Sequence, residues 1–507
     1  MCSQTTRTFL IIILCVMVGE IMGQAKHDYN WILGYDTSRI VHGGNAILID
    51  FNTEEPEIIG VSTVDNFWME GSNTSFSIEE GILKLYSNGC YIVGSDNHII
   101  DNGDTINPGL MQEYWCPNGG SIIPQGTIAI PFPGQVSLAY VFNLDLVLSY
   151  FLVDTFTAVA PEKLLYNVID LEANSGLGRV IEKNQVAVHD TLARGTLQAV
   201  RHNNGEDWWV IVPKSHTNCY FLVLITKNGV QPAIRKCTGH IWNDSDGGQC
   251  VFAPDGETYA RFNFQNGLDI FDFDNNSGDL TERAHIDFPN DNFPLTAGVA
   301  ISQNSQFLYA SAGDRVYQYD LTVADIESSQ TTVALVDSAS EQNGARFNMA
   351  ALAPNGKIYI SGSSSHKYLH VVDAPDCPGL KSKVRINGLS LPSFNYISVP
   401  NFPHYRNVTL NVDCDTISSV STPKQLVQSC RVYPNPTNGD FIRIDIPFQG
   451  ATVWLKIIDS MGRVHMKYEL ESGNTNEVDI SLLETGIYVV NIQCSVSYKS
   501  EILFKTN

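Results

Sequence analysis

The feature that most constrains the fold is one short phrase that occurs three times. It reads FAPDGETY at Phe252–Tyr259, ISQNSQFLY at Ile301–Tyr309 and LAPNGKIY at Leu352–Tyr359, with equivalent positions 49 and 51 residues apart. Asp or Asn followed by Gly or Ser tolerates the backbone angles of a tight turn, so each phrase predicts a strand, a turn and a second strand. A further strand pattern follows each phrase and ends in an aspartate, at Asp272, Asp320 and Asp373. A period near fifty residues with about four short strands predicts the blade of a β-propeller.

Strand patterns of the same kind precede the repeats. The full units are residues 76–107, 119–185, 197–236, 240–286, 293–337 and 345–385. The strands within residues 29–60 make no complete unit, and a last strand near Ser393–Val399 has no strand after it. We expect these two ends to share one blade, which closes the ring and protects strand edges. The prediction is an all-β, seven-bladed propeller of WD40-like type, or a six-bladed one if residues 119–185 do not form one unit.

Charge and periodicity exclude several classes of protein. The chain has 54 acidic and 31 basic residues, a net charge of −23, and no cluster of Lys and Arg. Proteins bind nucleic acids and anionic membranes through such clusters, so we expect neither as a partner. Helical periodicity is weak and no βαβ series is present, which argues against Rossmann and TIM-barrel enzymes.

The N-terminus has the pattern of an export signal. Arg7 precedes a short apolar run at Phe9–Val18, and small residues follow just before Gln24. This run is too short for a permanent membrane anchor, and no later stretch is long and apolar enough to be a transmembrane segment. We predict a signal peptide at residues 1–23 and an exported mature chain.

Cysteine usage suggests a few disulfides and no metal cluster. Nine cysteines remain after the predicted signal, so at least one thiol is unpaired. Cys414 and Cys430 bracket a polar linker and could close it, and Cys219, Cys237 and Cys250 are near enough in sequence for one pair among them. No Cys-x-x-Cys motif and no zinc spacing is present.

The last part of the chain predicts a separate small domain. We expect a propeller over residues 24–410, a linker over 411–430 and a small domain over 431–507. The last segment holds six or seven short alternating strands in fewer than eighty residues, including Phe441–Ile446 and Val453–Ile458. Such spacing predicts a small Ig-like β-sandwich.

This segment resembles the type A C-terminal sorting domain of Bacteroidetes type IX secretion. The residues that carry the resemblance are Tyr433, Pro434, Asn435, Pro436, Gly439, Gly462, Arg463, Gly486 and Tyr488, followed by an aromatic–basic end at Phe504–Lys505. The rest of the chain is similar to propeller proteins that carry this domain, in the stretches Asn30–Gly34, Arg201–Trp209 and Val399–Tyr405. The resemblance implies export to the periplasm, transfer across the outer membrane by the type IX machinery through residues 431–507, and either surface attachment or release.

One acidic turn has oxygen-rich spacing. The stretch DFDNNSGD offers Asp272, Asp274, Asn276 and Asp279 as ligands, for which calcium is the candidate cation. It lacks the bidentate Glu that ends an EF-hand loop. A strand-to-strand turn built from turn-forming residues is the alternative, and the sequence favours it. We therefore expect no cofactor, with calcium as the one exception to test.

A second group of candidates would line the mouth of the propeller. Arg201 and His202 come just before Trp208, and an outward-facing Trp could stack on a sugar. Neighbouring strand residues point to opposite faces, so Trp208 and Trp209 cannot both face outward. Packing in the core is the alternative for His202 and for either tryptophan.

No catalytic motif stands out. The chain has no Gly-x-Ser-x-Gly elbow and no phosphate loop, and no pair of carboxylates can be assigned to glycoside hydrolysis. We expect a secreted or cell-surface binding protein with an extracellular glycan or protein ligand. One alternative is a propeller enzyme acting on extracellular glycans or peptides. A second is a structural surface-layer protein, which would self-associate and bind no small ligand.

Overall fold

The structure, a computed structural model, describes most of the chain after the predicted signal peptide. The described residues are 25–35, 46–63, 67–150, 157–242, 247–288, 297–336, 346–405, 414, 430–446, 453–459, 464–471, 473–494 and 497–506. The predicted signal peptide and nearly all of the predicted linker lie outside them. The chain divides into two compact units, Met1–Val412 and Asp413–Asn507. Across the described ranges, no helix combines the length and the apolar character that crossing a membrane requires.

The first unit is a succession of antiparallel sheets. Sheet one has β1 (Asn30–Leu33), β2 (Ala46–Asp50) and β3 (Glu57–Val61). Sheet two has β4 (Thr74–Ser77), β5 (Leu83–Ser87) and β6 (Ile92–Gly94). Sheet three has β7 (Thr127–Phe132), β8 (Gln135–Leu144), β11 (Lys163–Asp170) and β12 (Arg179–His189). A hairpin of β9 (Val147–Tyr150) and β10 (Thr157–Ala160) is inserted between β8 and β11. Residues 119–185 therefore contribute a single sheet with an extra hairpin.

The later sheets follow the repeated phrase. Sheet four has β13 (Gln198–Arg201), β14 (Trp208–Pro213), β15 (Cys219–Thr226), β16 (Gly229–Val230) and β17 (Ile234–Cys237). Sheet five has β18 (Gln249–Phe252), β19 (Thr258–Asn263), β20 (Gly267–Asp274) and β21 (Asp279–Ile286). Sheet six has β22 (Gly298–Ile301), β23 (Phe307–Ala312), β24 (Arg315–Asp320) and β25 (Thr331–Leu335), and sheet seven has β26 (Phe347–Leu352), β27 (Ile358–Gly362), β28 (His366–Val372) and β29 (Val384–Asn395).

In the described residues of the first unit, helix is confined to short turns. These are Met111–Trp115, Cys116–Asn118, Ala173–Gly176, Glu327–Ser329 and Gly379–Ser382. The described part of the unit is thus all-β, as the sequence predicts.

The repeated phrase forms the hairpin between the first two strands of sheets five, six and seven. In each turn a side-chain oxygen accepts the backbone N–H two residues on: Asp255 from Glu257 at 2.9 Å, Asn304 from Gln306 at 3.0 Å and Asn355 from Lys357 at 3.2 Å. The next position has a positive φ in all three turns, +76° at Gly256, +59° at Ser305 and +77° at Gly356. This conformation explains why the phrase requires Gly or a small residue there.

Apolar side chains seal each seam between neighbouring sheets and close the ring. The seam between sheets five and six, for example, buries Phe262, Val299 and Leu308. Sheet one packs on sheet seven through Trp31 and Phe51 against Tyr359, with both tryptophan and phenylalanine rings within 6 Å of the tyrosine ring. Closure is therefore achieved by side-chain packing between the first and last sheets.

The predicted shared blade is wrong. Among the described residues, every strand of sheet one lies within 30–61 and every strand of sheet seven within 347–395. The strand expected near Ser393 is the end of β29, which pairs with β28. Sheet one obtains its third strand from Glu57–Val61, so it does not need a strand from the C-terminal end.

The chain after β29 fills the axis of the ring. In this central segment, residues 396–405, the side chains of Ser398, Val399, Asn401 and Tyr405 are all buried. The Asn401 amide nitrogen donates to the carbonyls of Thr127 and Leu197 at 3.0 and 2.9 Å. Its amide oxygen accepts from the side chains of Gln125 and Gln198, both at 3.1 Å. One side chain thus ties sheets three and four to the axis.

Disulfides stabilise the first unit, in which Cys90, Cys116, Cys219, Cys237 and Cys377 are all disulfide-bonded. Cys90 bonds to Cys116, and Cys219 bonds to Cys237, which confirms one pair among the three neighbouring cysteines. Cys250 is a buried free thiol, and burial raises its pKa to about 12. The predicted Cys414–Cys430 disulfide is wrong: Cys414 is disulfide-bonded, whereas Cys430 lies in the core of the second unit as a small apolar residue.

The second unit is a β-sandwich. One sheet has the order β30 (Arg431–Tyr433), β31 (Phe441–Asp445) and β34 (Thr475–Asp479). The other has the order β33 (Val464–Leu470), β32 (Val453–Asp459), β35 (Gly486–Cys494) and β36 (Ser497–Lys505). Their inward residues, such as Ile442, Ile444, Leu455 and Val490, form one buried core.

Replacing Asn401 by Ala should strongly destabilise the first unit. The change removes the bonds of Asn401 to two buried carbonyls and two buried glutamine amides, at about 1–3 kcal/mol for each buried group left unsatisfied. The Gln125 amide keeps its bond to the Cys250 carbonyl. We expect a loss of roughly 3–5 kcal/mol in urea unfolding of the full chain. Asn228→Ala, at an exposed position in the β15–β16 turn, is the control and should change stability by less than about 0.5 kcal/mol. Equal effects of the two substitutions would contradict the role of Asn401.

The stability of the first unit should also fall in mild acid because of His370. Burial, followed by the charge of His366, lowers the pKa of His370 to about 4, and its Nδ1 accepts the Asn387 N–H at 3.1 Å. The neutral ring is favoured in the fold, so its contribution is complete above the ordinary pKa of 6.5 and is lost as the pH falls toward 4. Between pH 7 and pH 5 this amounts to about 2 kcal/mol. Urea unfolding of the wild type and of His370→Gln at both pH values checks this, and a pH dependence of the same size in the variant would contradict it.

Candidate functional site

The two groups of residues singled out in the sequence lie on one edge of the propeller. We call this edge the turn face; it is formed by the β13–β14 turn (202–207), the β18–β19 turn (253–257) and the β20–β21 turn (275–278). His202 Nε2 lies 3.2 Å from the carbonyl oxygen of Asn276. The backbone N–H of Asn203 and the indole N–H of Trp209 both donate to the Asn275 carbonyl, at 3.2 and 3.0 Å. The Arg201–His202 group and the acidic turn are therefore neighbours.

The acidic turn is held by its own hydrogen bonds. Asp274 accepts the backbone N–H of Asn276 at 2.9 Å and the hydroxyl of Ser277 at 2.9 Å, and these bonds lower its pKa. Lys236 and the Ser277 hydroxyl lower the pKa of Asp279. Asp272 lies 3.5 Å from Arg283. The turn-forming interpretation accounts for these contacts, and within the described ranges no group of three or more His, Cys, Asp or Glu is arranged to hold a metal ion.

Trp208 does not face solvent. Its side chain is 1% exposed and packs edge-on against Tyr405 of the central segment at a centroid distance of 5.6 Å. Trp209 is also buried. The predicted stacking surface at Trp208 is therefore wrong, because the strand is covered on both faces by neighbouring sheets and the central segment.

Arg201 stands at the border between core and turn face. Its guanidinium lies 5.0 Å from the centroid of the Trp208 ring, and Nη1 donates to the Gly205 carbonyl at 3.2 Å. Burial lowers the pKa of Arg201. The Nε–H of this side chain has no acceptor among the described residues. Together with His202 and the Asp255–Glu257 turn, Arg201 lines a small cavity of about 240 Å³.

A larger groove continues from this cavity across sheet five toward sheet six. It has a volume of about 600 Å³ and shares Asp255, Glu257 and Asn275 with the smaller cavity. Five carboxylates line this acidic groove, those of Asp255, Glu257, Asp272, Asp274 and Asp279, and Arg283 is the one basic residue among the lining residues. Sequence reasoning missed Asp255 and Glu257 because their place in the repeated phrase explains them fully as turn residues.

A buried ionic cluster lies near the opposite ends of the same strands. Asp269 is fully buried and accepts from Arg261 at 3.1 Å and from the indole N–H of Trp242 at 2.7 Å. Its other oxygen lies 2.6 Å from Nδ1 of His285. Burial lowers the pKa of His285, but the bonds to Asp269 and Asp287 outweigh it and leave the pKa raised. Nε2 of His285 faces Asp287 at 3.3 Å, and in the described structure it meets no hydroxyl or thiol that could act as a nucleophile.

The sorting-motif residues of the second unit hold its last strand. Asn435 donates to the Ile502 carbonyl at 2.6 Å and accepts the Phe504 N–H at 3.1 Å. Lys505, which is buried, donates to the Gly439 carbonyl at 2.8 Å. These bonds fix the Tyr433–Gly439 stretch against β36.

Two tyrosines of the motif make further hydrogen bonds within the second unit. The Tyr433 hydroxyl donates to Asp445 at 3.1 Å, and the Tyr488 hydroxyl donates to the Glu484 carbonyl at 2.9 Å. A side chain at Gly486 would meet the Tyr488 ring at 3.5 Å. Gly462 and Arg463 lie outside the described residues.

Asn435→Ala should loosen β36 without unfolding the sandwich. The substitution removes both side-chain bonds to the last strand, each worth about 1 kcal/mol. We expect amide hydrogen exchange of residues 502–506 to accelerate about tenfold or more. Tyr433→Phe removes one exposed hydroxyl bond in the same stretch and should leave exchange of β36 unchanged, so acceleration in both variants would contradict the specific role of Asn435.

Comparison with known proteins agrees with the second unit. Residues 431–504 match the family model described as secretion system C-terminal sorting domain. A search of curated proteins finds no match to the chain.

Several solved structures resemble the fold weakly. A functionally unknown protein from Desulfotomaculum acetoxidans is 14% identical with a TM-score of 0.36, covering 73% of this chain and 100% of its own. A putative 6-phosphogluconolactonase from Bacteroides uniformis is 10% identical with a TM-score of 0.35, covering 89% and 100%. A periplasmic gluconolactonase from Pseudomonas aeruginosa is 11% identical with a TM-score of 0.34, covering 89% and 99%. At these scores the likeness carries no function, and the propeller is recognised from the chain's own ring of sheets.

The matched residues coincide with the sandwich, and their motif side chains bind its last strand. Residues 431–504 are therefore a type IX secretion C-terminal sorting domain, and the chain is a secreted or cell-surface protein that carries a β-propeller ahead of that domain.

Proposed function

We propose that the propeller is a binding module that recognises a Lys- and Arg-rich segment of an extracellular protein in the acidic groove. The observation that carries this is the groove itself, about 600 Å³ lined by five carboxylates and one arginine. We further propose that residues 24–410 form this module, that residues 1–23 are removed on export, and that residues 431–507 direct passage through the type IX machinery.

The charge state of the groove supports a cationic ligand. Hydrogen bonds lower the pKa of Asp274 and Asp279, so both carboxylates stay ionised at neutral pH. The whole chain carries a net charge of −23, which steers positive partners toward it. Basic side chains are the protein groups that carboxylates bind best.

A glycan ligand has less support. Sugar sites usually offer an exposed aromatic ring for stacking, and Phe273, the aromatic residue that lines the groove, is buried. A basic protein segment uses the charges that the groove does present.

Neither the acidic groove nor the Asp269–His285 pair, as far as the structure describes them, offers the parts that the enzymatic alternative needs. Glycoside hydrolysis requires one carboxylic acid with a raised pKa beside an ionised carboxylate. The shifts at Asp274 and Asp279 are downward. The Asp269–His285 pair has the geometry of a general base and its orienting carboxylate, yet in the described residues His285 lies beside Asp287 and Asp269 and beside no nucleophile.

Binding of a basic peptide to the purified full chain tests the proposal. The probe is a ten-residue peptide of alternating Lys and Gly, compared with its acetyl-lysine form, in isothermal titration at low and physiological salt. Asp255→Asn, Glu257→Gln and Asp272→Asn together should weaken binding about tenfold or more, and salt should weaken binding to the wild type.

The control removes the same charge elsewhere. Glu54→Gln, Glu55→Gln and Asp104→Asn neutralise three exposed carboxylates away from the groove and should leave affinity within about twofold. Equal weakening in both triple variants would mean that net charge, and not the groove, attracts the peptide. A rise in melting temperature with calcium and none with the peptide would instead favour a cation site at Asp272, Asp274, Asn276 and Asp279.

A further inference from the structure

One face of the sorting domain presents an apolar surface to solvent. We call it the outer face: the outward side of the sheet β33–β32–β35–β36. In register across the four strands stand Val464, Ile458, Val489 and Ile502, and Ile487 stands opposite Phe504 beside them. Their inward neighbours Ile457, Val490 and Leu503 are buried in the core, so the alternation of the strands places the six residues on the opposite side.

Four of these six side chains are exposed, and those of Ile458 and Val489 are partly buried. Val464 is 47% exposed, Ile487 56%, Ile502 53% and Phe504 43%. Single exposed apolar residues are normal, but a contiguous patch on a soluble domain marks an interaction surface. Six apolar residues in adjoining cross-strand positions make such a patch.

The next row of the outer face adds positive charge. Lys456 and Lys467 stand directly opposite each other on β32 and β33, one step along the strands from Ile458. Like charges in directly opposed positions destabilise a sheet. Neither lysine has an ion-pair partner among the described residues. The fold therefore tolerates a cost that an acidic partner would remove.

We propose that the outer face is the surface by which the sorting domain contacts the secretion machinery, through a component that offers an apolar strip beside carboxylates. A sorting domain must contact the secretion machinery, and the apolar patch beside the lysine pair can bind a protein surface that is apolar and acidic. The proposal is independent of the ligand proposed for the propeller.

Charge argues against a second copy of the chain as the occupant. A two-fold contact of the outer face with itself is self-complementary, so each patch meets its own kind. The lysine pairs of both copies would then border one apolar contact, where like charges repel. An acidic partner would instead place opposite charge against the lysine pair.

The test measures export of the full chain from a host with type IX secretion. Ile487→Ser and Ile502→Ser, alone and together, remove apolar surface without touching the core. We expect each single variant to lower the ratio of extracellular to periplasmic protein several-fold and the double variant to lower it about tenfold or more. The double variant Lys456→Glu, Lys467→Glu should lower this ratio similarly. The double variant Lys456→Arg, Lys467→Arg keeps the positive charge and should be exported at the wild-type ratio.

Phe441→Ser is the matched control. Phe441 is 50% exposed, as Ile502 is, but lies on the other sheet of the sandwich. It should be exported like the wild type. Thermal melting of each purified variant, within about 2 °C of the wild type, excludes misfolding as the cause of retention.

Three outcomes would overturn the proposal. Export of the outer-face variants at the wild-type ratio would show that the machinery does not use this face. Retention of Phe441→Ser to the same degree would show that any loss of exposed apolar surface matters. Normal export with a changed oligomeric state in light scattering, or with lost attachment to cells, would assign the face to self-association or anchoring instead.

Discussion

The propeller depends on amide side chains that satisfy the inner edges of its sheets. The first strand of each sheet borders the axis with one unpaired edge, and buried backbone groups there need partners. Asn401 supplies four hydrogen bonds to sheets three and four and their glutamines. Gln125 passes the connection on by bonding both backbone groups of Cys250 in sheet five, at 2.9 and 2.8 Å. An amide suits this position because it donates and accepts at once.

The same device continues around the axis. Gln249 of sheet five accepts the N–H of Val299 in sheet six and bonds both backbone groups of Ala350 in sheet seven. Asn395 accepts the N–H of Gly34 in sheet one at 3.1 Å. These bonds cross between sheets that are separated by up to hundreds of residues in sequence, so they hold the ring where no strand is shared between its ends. They complement the apolar contacts between neighbouring sheets, which stabilise the ring but, being non-directional, do not fix how the sheets are oriented.

A filled axis has a consequence for recognition. A ring of sheets can bind a ligand in a pocket at its centre. Here the central segment occupies that space with the buried residues Ser398, Val399 and Asn401. Among the described residues, a concave surface lies at the turns, where the acidic groove extends across sheet five toward sheet six. Because tight turns are also where Asp and Asn are favoured, the turn chemistry of the repeats and the negative charge of the groove come from the same residues.

The sequence predicts what is local and misses what is not. The repeated hairpins follow from an Asp or Asn and a positive φ within four residues, and the structure confirms them. His202 and Asn276 are in contact although they lie 74 residues apart in the sequence, and no periodic pattern predicts such a contact. Trp208 fits the pattern of a strand residue that could face either way, and only the position of Tyr405 decides that it is buried. Asn401 lies in the stretch Val399–Tyr405 that resembles related propellers, but no local pattern predicts that its side chain bonds to Thr127 and Leu197, more than two hundred residues away.

In the sorting domain, different residues serve folding and recognition, and the motif contains those that serve folding. Asn435, Lys505 and Tyr488 carry the resemblance to the family, yet their polar atoms bind backbone groups of the domain itself. A side chain whose donors and acceptors are already satisfied internally gains little from a partner, because each new bond must replace an existing one. Contacts with the machinery must then come mainly from side chains that the fold leaves exposed. The row from Val464 to Ile502 and the Lys456–Lys467 pair meet that condition, and the motif residues serve to hold β36, and hence Ile502, in register with it.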